Sequence, residues 1–578
     1  MTPKMNFNRV ATIFFCIASI LCTQTVFAAS TPHLGFTVNG IKGKPLDNVN
    51  TRLTLIKKRF SHPLTKSSIH AIFRHAKTDI KTALQPFGYY RANINASLKH
   101  QQKDWTAHFD IKPGPKLRVT HLSLSIQGEG KQDKVFKNLI HHFPIKQGHA
   151  LTTVDYDAAK QSLFNVASHH GYMKASLIEH KIIIDQAKYT ATVIIIFDTG
   201  PRFRFGKITL NTGPYAQHFI ARYLPFKSGE YYSTDKVQTL QRNLTNSIYF
   251  DKVSVDANPN HAKNHLIPVI VTLTPADAQH YTVGAGFGTD TGPRVSGSWQ
   301  WRRASKTGNH MQFSTRLSPI QSSGLASYMI PGSNPMTDQY SINAGAQNTN
   351  IDVGNSFMYN LGVAYHHSKD HWQHTYQINY QREHFQVDEE KSQDSELLIP
   401  SVRWSFIQAD DLVNPLKGIH VSLTVRGAPK VLFSDQNFAQ TLVDANWIHP
   451  LSSKTRLVTK GSFGMTTVDD FDRLPLSLRF LTGGARSVRA YAYQAIGPGR
   501  YVKVGSLELQ QEIINHFFVA AFFDAGTASS SLNDALKQSP GLAIGYYSMI
   551  GPIELSVAKA IKDPGQPYRI SFSMGTNL

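Results

Sequence analysis

Two periodicities divide the chain. From Gln279 to the C-terminus, apolar and polar or small residues alternate with period two. Tyr281, Val283, Ala285 and Phe287 alternate with Thr282, Gly284, Gly286 and Gly288. Phe517, Val519, Ala521 and Phe523 stand against Ala520, Phe522 and Asp524; Ile553, Leu555 and Val557 against Glu554 and Ser556; Tyr568, Ile570, Phe572 and Met574 against Arg569, Ser571, Ser573 and Gly575. One face suits lipid and the other a wet lumen, which predicts a closed transmembrane β-barrel over 277–578. At roughly 18 residues per strand and loop, the segment holds about 16 antiparallel strands. A soluble β-sandwich is disfavoured, because Phe287, Phe523 and Ile570 would all need burial on one sheet face. Trp299, Trp301, Trp372, Trp404 and Trp447 are candidates for an interfacial belt.

Before residue 277 the pattern is mixed and repeats about every 80 residues. Gly88-Tyr89-Tyr90-Arg91-Ala92 followed by Phe109-Asp110 and Gly114-Pro115 corresponds to Gly171-Tyr172-Met173-Lys174-Ala175 followed by Phe197-Asp198 and Gly200-Pro201. A third copy starts at Tyr249-Phe250-Asp251. Pro144-Ile145-Lys146-Gln147-Gly148 is matched by Pro225-Phe226-Lys227-Ser228-Gly229. Within a copy, helical spacing (Tyr156, Ala159, Leu163, Val166; then Val237, Leu240, Leu244) gives way to strands. Ser233 and Thr234 can cap the third copy's helix, and Val193–Phe197 is a buried-strand run. Each copy therefore reads strand, helix, helix, strand, strand, over 30–114, 115–201 and 202–276. The first copy diverges most, with helices around Ile69–Leu84.

Composition adds a compartment and a charge. Residues 1–29 carry Lys4 and Arg9, an apolar run and Val26-Phe27-Ala28-Ala29, the pattern of a secretory signal peptide. Cys16 and Cys22 both lie inside it, so the remainder has no disulfides and its stability must come from cores and strand pairing. No later run of apolar residues is long enough for a transmembrane helix. With 60 Lys+Arg against 39 Asp+Glu, the net charge is +21, suited to anionic lipid or acidic clients; the export signal argues against nucleic acid.

The candidate chemistry is a Gly-rich loop, Gly483-Gly484-Ala485-Arg486-Ser487-Val488-Arg489-Ala490-Tyr491, on the connection between strands 11 and 12. It predicts a segment 482–501 folded into the barrel. Asp524, and Glu508 if Leu507 and Leu509 face out, have lumen-facing parity. An Arg fork can grip one carboxylate or bridge two, so Arg489 is expected buried with Asp524 and Glu508; the alternative is an exposed loop Arg. Gly284-x-Gly286-x-Gly288 has no following helix and is no dinucleotide loop. His141-His142, His169-His170 and His366-His367 would point to opposite faces, so no metal or other cofactor is expected. Ser506 and Glu508 lack a nearby His, so no enzyme activity is expected.

Val488-Arg489-Ala490-Tyr491 resembles the Val-Arg-Gly-Phe/Tyr signature of the outer-membrane insertase superfamily, and Phe522-Phe523-Asp524-Ala525-Gly526 its partner motif on strand 13. The front repeats resemble POTRA modules, and three of them is the number in the superfamily's translocation-and-assembly branch. Gly286-Phe287-Gly288-Thr289-Asp290-Thr291-Gly292-Pro293-Arg294, Leu478-Arg479-Phe480 and the ending Gly575-Thr576-Asn577-Leu578 are similar to that branch as well. Ala490 replaces the signature Gly, and a methyl there could loosen the loop's closest approach. Leu578 replaces a terminal aromatic.

The resemblance implies the outer membrane of a Gram-negative bacterium, with POTRA modules in the periplasm acting as client-binding sheet edges; the alternative is rigid spacers. It implies unfolded outer-membrane protein clients such as autotransporters and a TamB-like inner-membrane-anchored partner. It also implies a lateral gate between Gln279–Gly288 and Pro567–Thr576, drawing on Tyr281, Val283, Gly284, Gly286, Gly288, Ile570, Phe572 and Met574. The three glycines would leave the first strand little side-chain packing on its lumen face, or else fit a crowded lumen under the Gly483 loop. A two-partner-type secretion pore or a passive channel is the alternative function.

Overall fold

The computed structural model describes residues 33–575 apart from 61–63, 102–103, 389–390, 550, 562–564 and 566. The signal segment with Cys16 and Cys22, and the ending Thr576–Leu578, lie outside the described residues. The chain forms two compact units. One holds the first two front modules; the other holds most of the third module together with the barrel.

Each front module is a three-stranded sheet whose last strand lies in the middle. In the first, Asp104–Lys112 runs parallel to His33–Asn39 and antiparallel to Asn93–Gln101. In the second, Thr190–Asp198 runs parallel to Arg118–Gln127 and antiparallel to Ser176–Asp185. In the third, Leu266–Pro275 lies between Arg204–Asn211 and Phe250–Asp256. Placing the last strand centrally leaves the first two at the sheet edges, where Arg118 bridges to Ala150 in the second module and Arg204 to Tyr231 in the third.

The helices cover one face of each sheet, with three corrections to the sequence reading. The first module has a helix over Lys66–Leu84, capped by Thr65 and Ser68, and a second over Lys44–Arg59, upstream of the expected region. That second helix buries only Val49, Leu53 and Ile56 in a polar sequence, too weak a stripe to stand out. In Thr153–His169 the buried face ends on Ala167, with Val166 half-exposed. The run 193–197 is not buried throughout: Val193, Ile195 and Phe197 are in the core while Ile194 and Ile196 are half-exposed, because helices cover a single face.

The repeated Gly-Tyr pair has a structural task in the second module. Gly171 takes φ +88°, in the left-handed region that a side chain strains. The Tyr172 ring then packs on Phe136 at 5.5 Å, and its hydroxyl donates to Asp133 Oδ2 at 3.0 Å. The other oxygen of Asp133 accepts Val135 N–H at 3.2 Å, capping helix Lys134–His141.

The barrel has 16 strands, each antiparallel to the next in chain order. They are β1 (Gln279–Gly288), β2 (Gly292–Trp301), β3 (His310–Leu317), β4 (Gln321–Pro331), β5 (Asp338–Ile351), β6 (Gly354–Lys369), β7 (Trp372–Val387) and β8 (Gln393–Ala409). There follow β9 (Gly418–Ala428), β10 (Phe438–Pro450), β11 (Thr455–Val468), β12 (Tyr501–Ile514), β13 (Phe517–Ser529), β14 (Lys537–Ser548), β15 (Gly551–Lys559) and β16 (Tyr568–Met574). Outward residues are apolar and exposed, among them Tyr281, Val283, Phe287, Phe523 and Ile570, while Asp524, Glu554 and Ser556 are buried inside.

The third module closes on one end of the barrel. Tyr249 Oη donates to Gly308 O at 2.6 Å in the β2–β3 connection, and Arg222 Nη1 to Gly332 O at 2.7 Å after β4. All five tryptophans of the expected belt lie near this module-side end of their strands. The wall is uneven. At roughly 3.3 Å per residue, β8 with 17 residues is about 56 Å long and β16 with 7 about 23 Å.

Candidate functional site

The β11–β12 connection turns into the lumen from its start, earlier than the expected 482–501. Ser477 N–H donates to Glu383 Oε1 on β7 at 3.0 Å, and Gln440 Nε2 on β10 to Leu478 O at 2.8 Å. Arg479, of the Leu478-Arg479-Phe480 motif, folds back on its own segment through Leu474 O (2.8 Å) and Asp472 O (2.6 Å). A short hairpin, Phe480–Thr482 with Ile496–Gly499, then presents the tip. Gly483 and Gly484 both take positive φ, at +108° and +107°, so a residue with a side chain would be strained at either position.

At the tip Arg489 is 5% exposed and engages three carboxylates. Its Nε and Nη2 each meet Asp524 at 2.9 Å, a bidentate grip. Nη1 reaches Glu508 Oε2 at 2.6 Å and Glu554 Oε1 at 3.0 Å. Its backbone N–H also donates to Asp524, at 3.2 Å, and the guanidinium carbon sits 3.2 Å from the centre of the Phe522 ring. Ser506 Oγ donates to Asp524 Oδ1 at 2.7 Å, and Ser539 Oγ accepts Ala490 N–H at 2.9 Å. The cation is thus held by β12, β13 and β15, with Ala490 tied to β14. Lys460 and Arg486 line the same small cavity as Arg489, Glu508 and Glu554. Removing one member of such a buried network leaves uncompensated charge, at a cost of about 3–5 kcal/mol.

The loop motif packs around this grip. Val488 is fully buried, and Gly526 makes room for it: a Cβ at Gly526 would lie 2.9 Å from Val488 Cγ2. The Ala490 methyl has apolar neighbours on the barrel wall. It is buried in an apolar cluster with Phe518, Ala520, Phe522, Ala543 and Ala558, with Tyr491 at its border, and the small neighbours supply the space.

Sequence reasoning assigned Arg489, Asp524 and Glu508 to the site; it left out Glu554, Ser506 and Phe522. Glu554 was findable, since it is an acid at lumen-facing parity two strands from Asp524. Phe522 faces inward like Asp524, but nothing in its position marks it as a platform for the guanidinium.

A second cluster lies where β1 meets β16. Among the described residues no ladder joins these two strands. Instead Thr289 Oγ1 accepts the N–H of Phe572 at 3.0 Å and donates to its carbonyl at 3.3 Å. Asp290 Oδ1 pairs with Arg569 Nη2 at 3.3 Å, and Asp290 Oδ2 accepts Ala485 N–H at 2.8 Å. Arg486 Nη2 donates to Met574 O at 2.6 Å. Burial raises the Asp290 carboxyl above the ordinary Asp range, with the Ala485 N–H and the Arg569 and Arg486 charges pulling the other way. The turn after β1, the Gly-rich loop and β16 are therefore stapled together by side chains.

Of the residues named for the gate, Tyr281, Val283 and Ile570 face outward and are exposed, with Phe572 and Met574 half-buried beside them. The glycines of β1 do not leave its lumen face bare. A Cβ at Gly284 would stand 2.9 Å from Ser296 Oγ, and one at Gly286 3.2 Å from Arg294 Nε. Side chains of β2, rather than the Gly483 loop, lie over these two positions. Gly288 has only Thr291 near it.

Comparison with known proteins places these features in context. A family model described as the Omp85 superfamily domain matches residues 302–578, and one described as POTRA domain TamA domain 1 matches residues 35–113. The crystal structure of BamA from Haemophilus ducreyi lacking POTRA domains 1–3 superposes with a TM-score of 0.67 at 16% identity, covering 79% of this chain and 99% of that one. CdiB from Acinetobacter baumannii aligns over 93% of this chain and 99% of its own at 13% identity, with a TM-score of 0.44.

Proposed function

We propose that this chain, which carries an Omp85 superfamily domain behind a TamA-type POTRA domain and is consistent with a TamA-type Omp85 protein, inserts unfolded β-barrel clients such as autotransporters into the outer membrane through a lateral gate between β1 and β16. Omp85-type barrel homologues are outer-membrane proteins with periplasmic POTRA domains, which supports reading the module-side end as the periplasmic one. The same family reading supplies a TamB-like partner anchored in the inner membrane, acting through the front modules.

The observation that carries the reading is the seam. Neighbouring strands elsewhere are joined by backbone ladders, for example fourteen register pairs between β5 and β6, from Asp338↔His367 to Ile351↔Gly354. At β1 and β16 the described contacts are side-chain staples at the far end. A strand edge facing lipid with unsatisfied N–H and C=O groups is costly, and a client strand satisfies it by β-augmentation. Because staples are exchanged for a ladder, opening needs no nucleotide. The low wall at β16 adds to this, since a short apolar span thins the adjoining bilayer and lowers the barrier to insertion there. In the front modules the edge strand Ser176–Asp185 exposes Ile178 and Ile183, apolar handles for an extended client.

The competing function is a passive or secretory pore. The loop that crosses from β7 to β15 obstructs the lumen and favours insertion at the seam over conduction through the centre. Purified protein in liposomes discriminates between the two. Insertion of an autotransporter barrel at a rate well above empty liposomes, with little conductance in planar bilayers, supports the proposal. Steady conductance with no gain in insertion overturns it.

A further inference from the structure

The histidines of the barrel are not scattered. Every histidine of residues 277–578 except His384 lies at the module-side end, at a strand terminus or in a turn. Five of them belong to the outer rim. His367, His374 and His449 share the outward parity of Tyr365, Tyr376 and Trp447, and His371 and His516 occupy the β6–β7 and β12–β13 turns.

Four of these stand against aromatic rings of the interfacial belt. Ring centres are 6.2 Å apart for His374 and Trp372, 5.8 Å for His371 and Phe406, 5.2 Å for His449 and Trp447, and 6.0 Å for His516 and Tyr546. His367 lies 6.0 Å from His374 and bonds Asp338 Oδ1 at 2.7 Å, with Tyr365 Oη donating to the same oxygen at 3.2 Å. Trp404 stands opposite His374 and Leu457 opposite His449. His371 Nδ1 lies 3.1 Å from Ile407 O. Other carboxylates here are engaged locally: Asp410 and Asp411 by backbone N–H groups of their own turn, and Glu512 by His516 N–H at 2.8 Å. Lys369, Asp370, Lys417 and Lys454 complete the charges on these turns.

We propose that this rim is a pH-dependent binding surface for anionic phospholipid headgroups of the leaflet on the module side. Aromatic rings seat at headgroup depth. Imidazole changes charge within about pH 5–8, and the protonated ring offers two N–H donors to a phosphate. The rim therefore gains cations in acid, beside rings that fix the lipid's depth, while Asp338 meets one of them. The far end, with His384 alone, lacks this property. The proposal rests on the barrel crossing a membrane and is independent of the insertase reading.

The test uses the belt tryptophans as reporters. The full chain is reconstituted in phosphatidylcholine vesicles containing a minority of phosphatidylglycerol, with brominated acyl chains on one lipid or the other. Quenching of tryptophan fluorescence is compared at about pH 5.5 and about pH 8, on either side of the imidazole range. The expected result is a phosphatidylglycerol-over-phosphatidylcholine preference at least about fivefold higher in acid, the effect of one added charge at an anionic surface. That rise is lost when His367, His371, His374, His449 and His516 are replaced by Gln. A preference that is equal at both pH values, or a rise that survives the substitutions, overturns the proposal. If the Gln variant fails to show the heat-modifiable gel shift of a folded barrel, diethylpyrocarbonate treatment of the reconstituted wild type replaces it, and must abolish the rise.

Discussion

The hydroxyl of Thr289 occupies the place of a neighbouring strand's backbone, accepting Phe572 N–H at 3.0 Å and donating to Phe572 C=O at 3.3 Å. One side chain thus satisfies two groups that a sixteenth-to-first ladder would have paired. Thr289→Val keeps the shape and removes both bonds, each worth about 1 kcal/mol. The expected outcome is faster hydrogen exchange in the peptide around Phe572 with unchanged exchange in β5–β8. Unchanged exchange at Phe572 counts against the latch.

Locking the seam tests the gate directly. On a Cys16→Ser, Cys22→Ser background, Phe287→Cys and Met574→Cys place thiols on the outward face of β1 and β16. Joining them with a short bis-thiol reagent is expected to abolish client insertion while the barrel keeps its folded gel mobility. Reduction of a cleavable reagent restores insertion. A joined form that inserts clients at the uncrosslinked rate excludes opening between these strands.

Arg489→Ala leaves Asp524, Glu508 and Glu554 facing one another without their shared cation, a loss of about 3–5 kcal/mol. The temperature at which the barrel unfolds on gels is expected to fall clearly, and client insertion with it. Arg489→Lys recovers only part, because an ammonium cannot grip Asp524 bidentately and reach Glu508 as well. If the Lys variant behaves as wild type, the fork geometry is irrelevant and charge alone suffices.

Ala490→Gly separates the structure's reading from the signature's. The methyl is packed in a closed apolar cluster. Its loss removes about 0.8 kcal/mol of burial and adds about 0.5–1 kcal/mol of backbone entropy. A lower unfolding temperature is expected, by less than for Arg489→Ala. An unfolding temperature that rises would show that the methyl strains the loop.

Tyr172 gives the second module an alkaline limit. Burial, with the Asp133 hydrogen bond and charge adding to it, pushes its hydroxyl from 10.0 up to about 12. A folded value above the unfolded one means stability that is complete below about pH 10 and is lost as pH rises through about 12. Urea unfolding of the module region is expected to weaken across this window in the wild type. Tyr172→Phe, already less stable at neutral pH, should show a flatter dependence; parallel curves for the two proteins exclude Tyr172 as the source.

The sequence by itself determined what depends on neighbours along the chain. Alternation fixed which residues of β1, β13, β15 and β16 face out, and spacing set the strand number. The parity of Asp524 and Glu508 pointed them at Arg489, because side-chain direction in a strand follows from position alone. Tertiary structure alone decided the rest. Thr289 and Phe572 are separated by 283 residues, and nothing in either local pattern announces the other. Asp290 meets Arg569 only because the sheet curls until its ends approach, and Arg489 bridges Glu508 and Glu554 only because the loop folds back into the lumen. Ala490 is accommodated because Ala520, Ala543 and Ala558 happen to be small where the wall meets the loop. Closure and packing are sums over distant pairs, and a periodicity read along one strand carries no information about which strand will stand beside it.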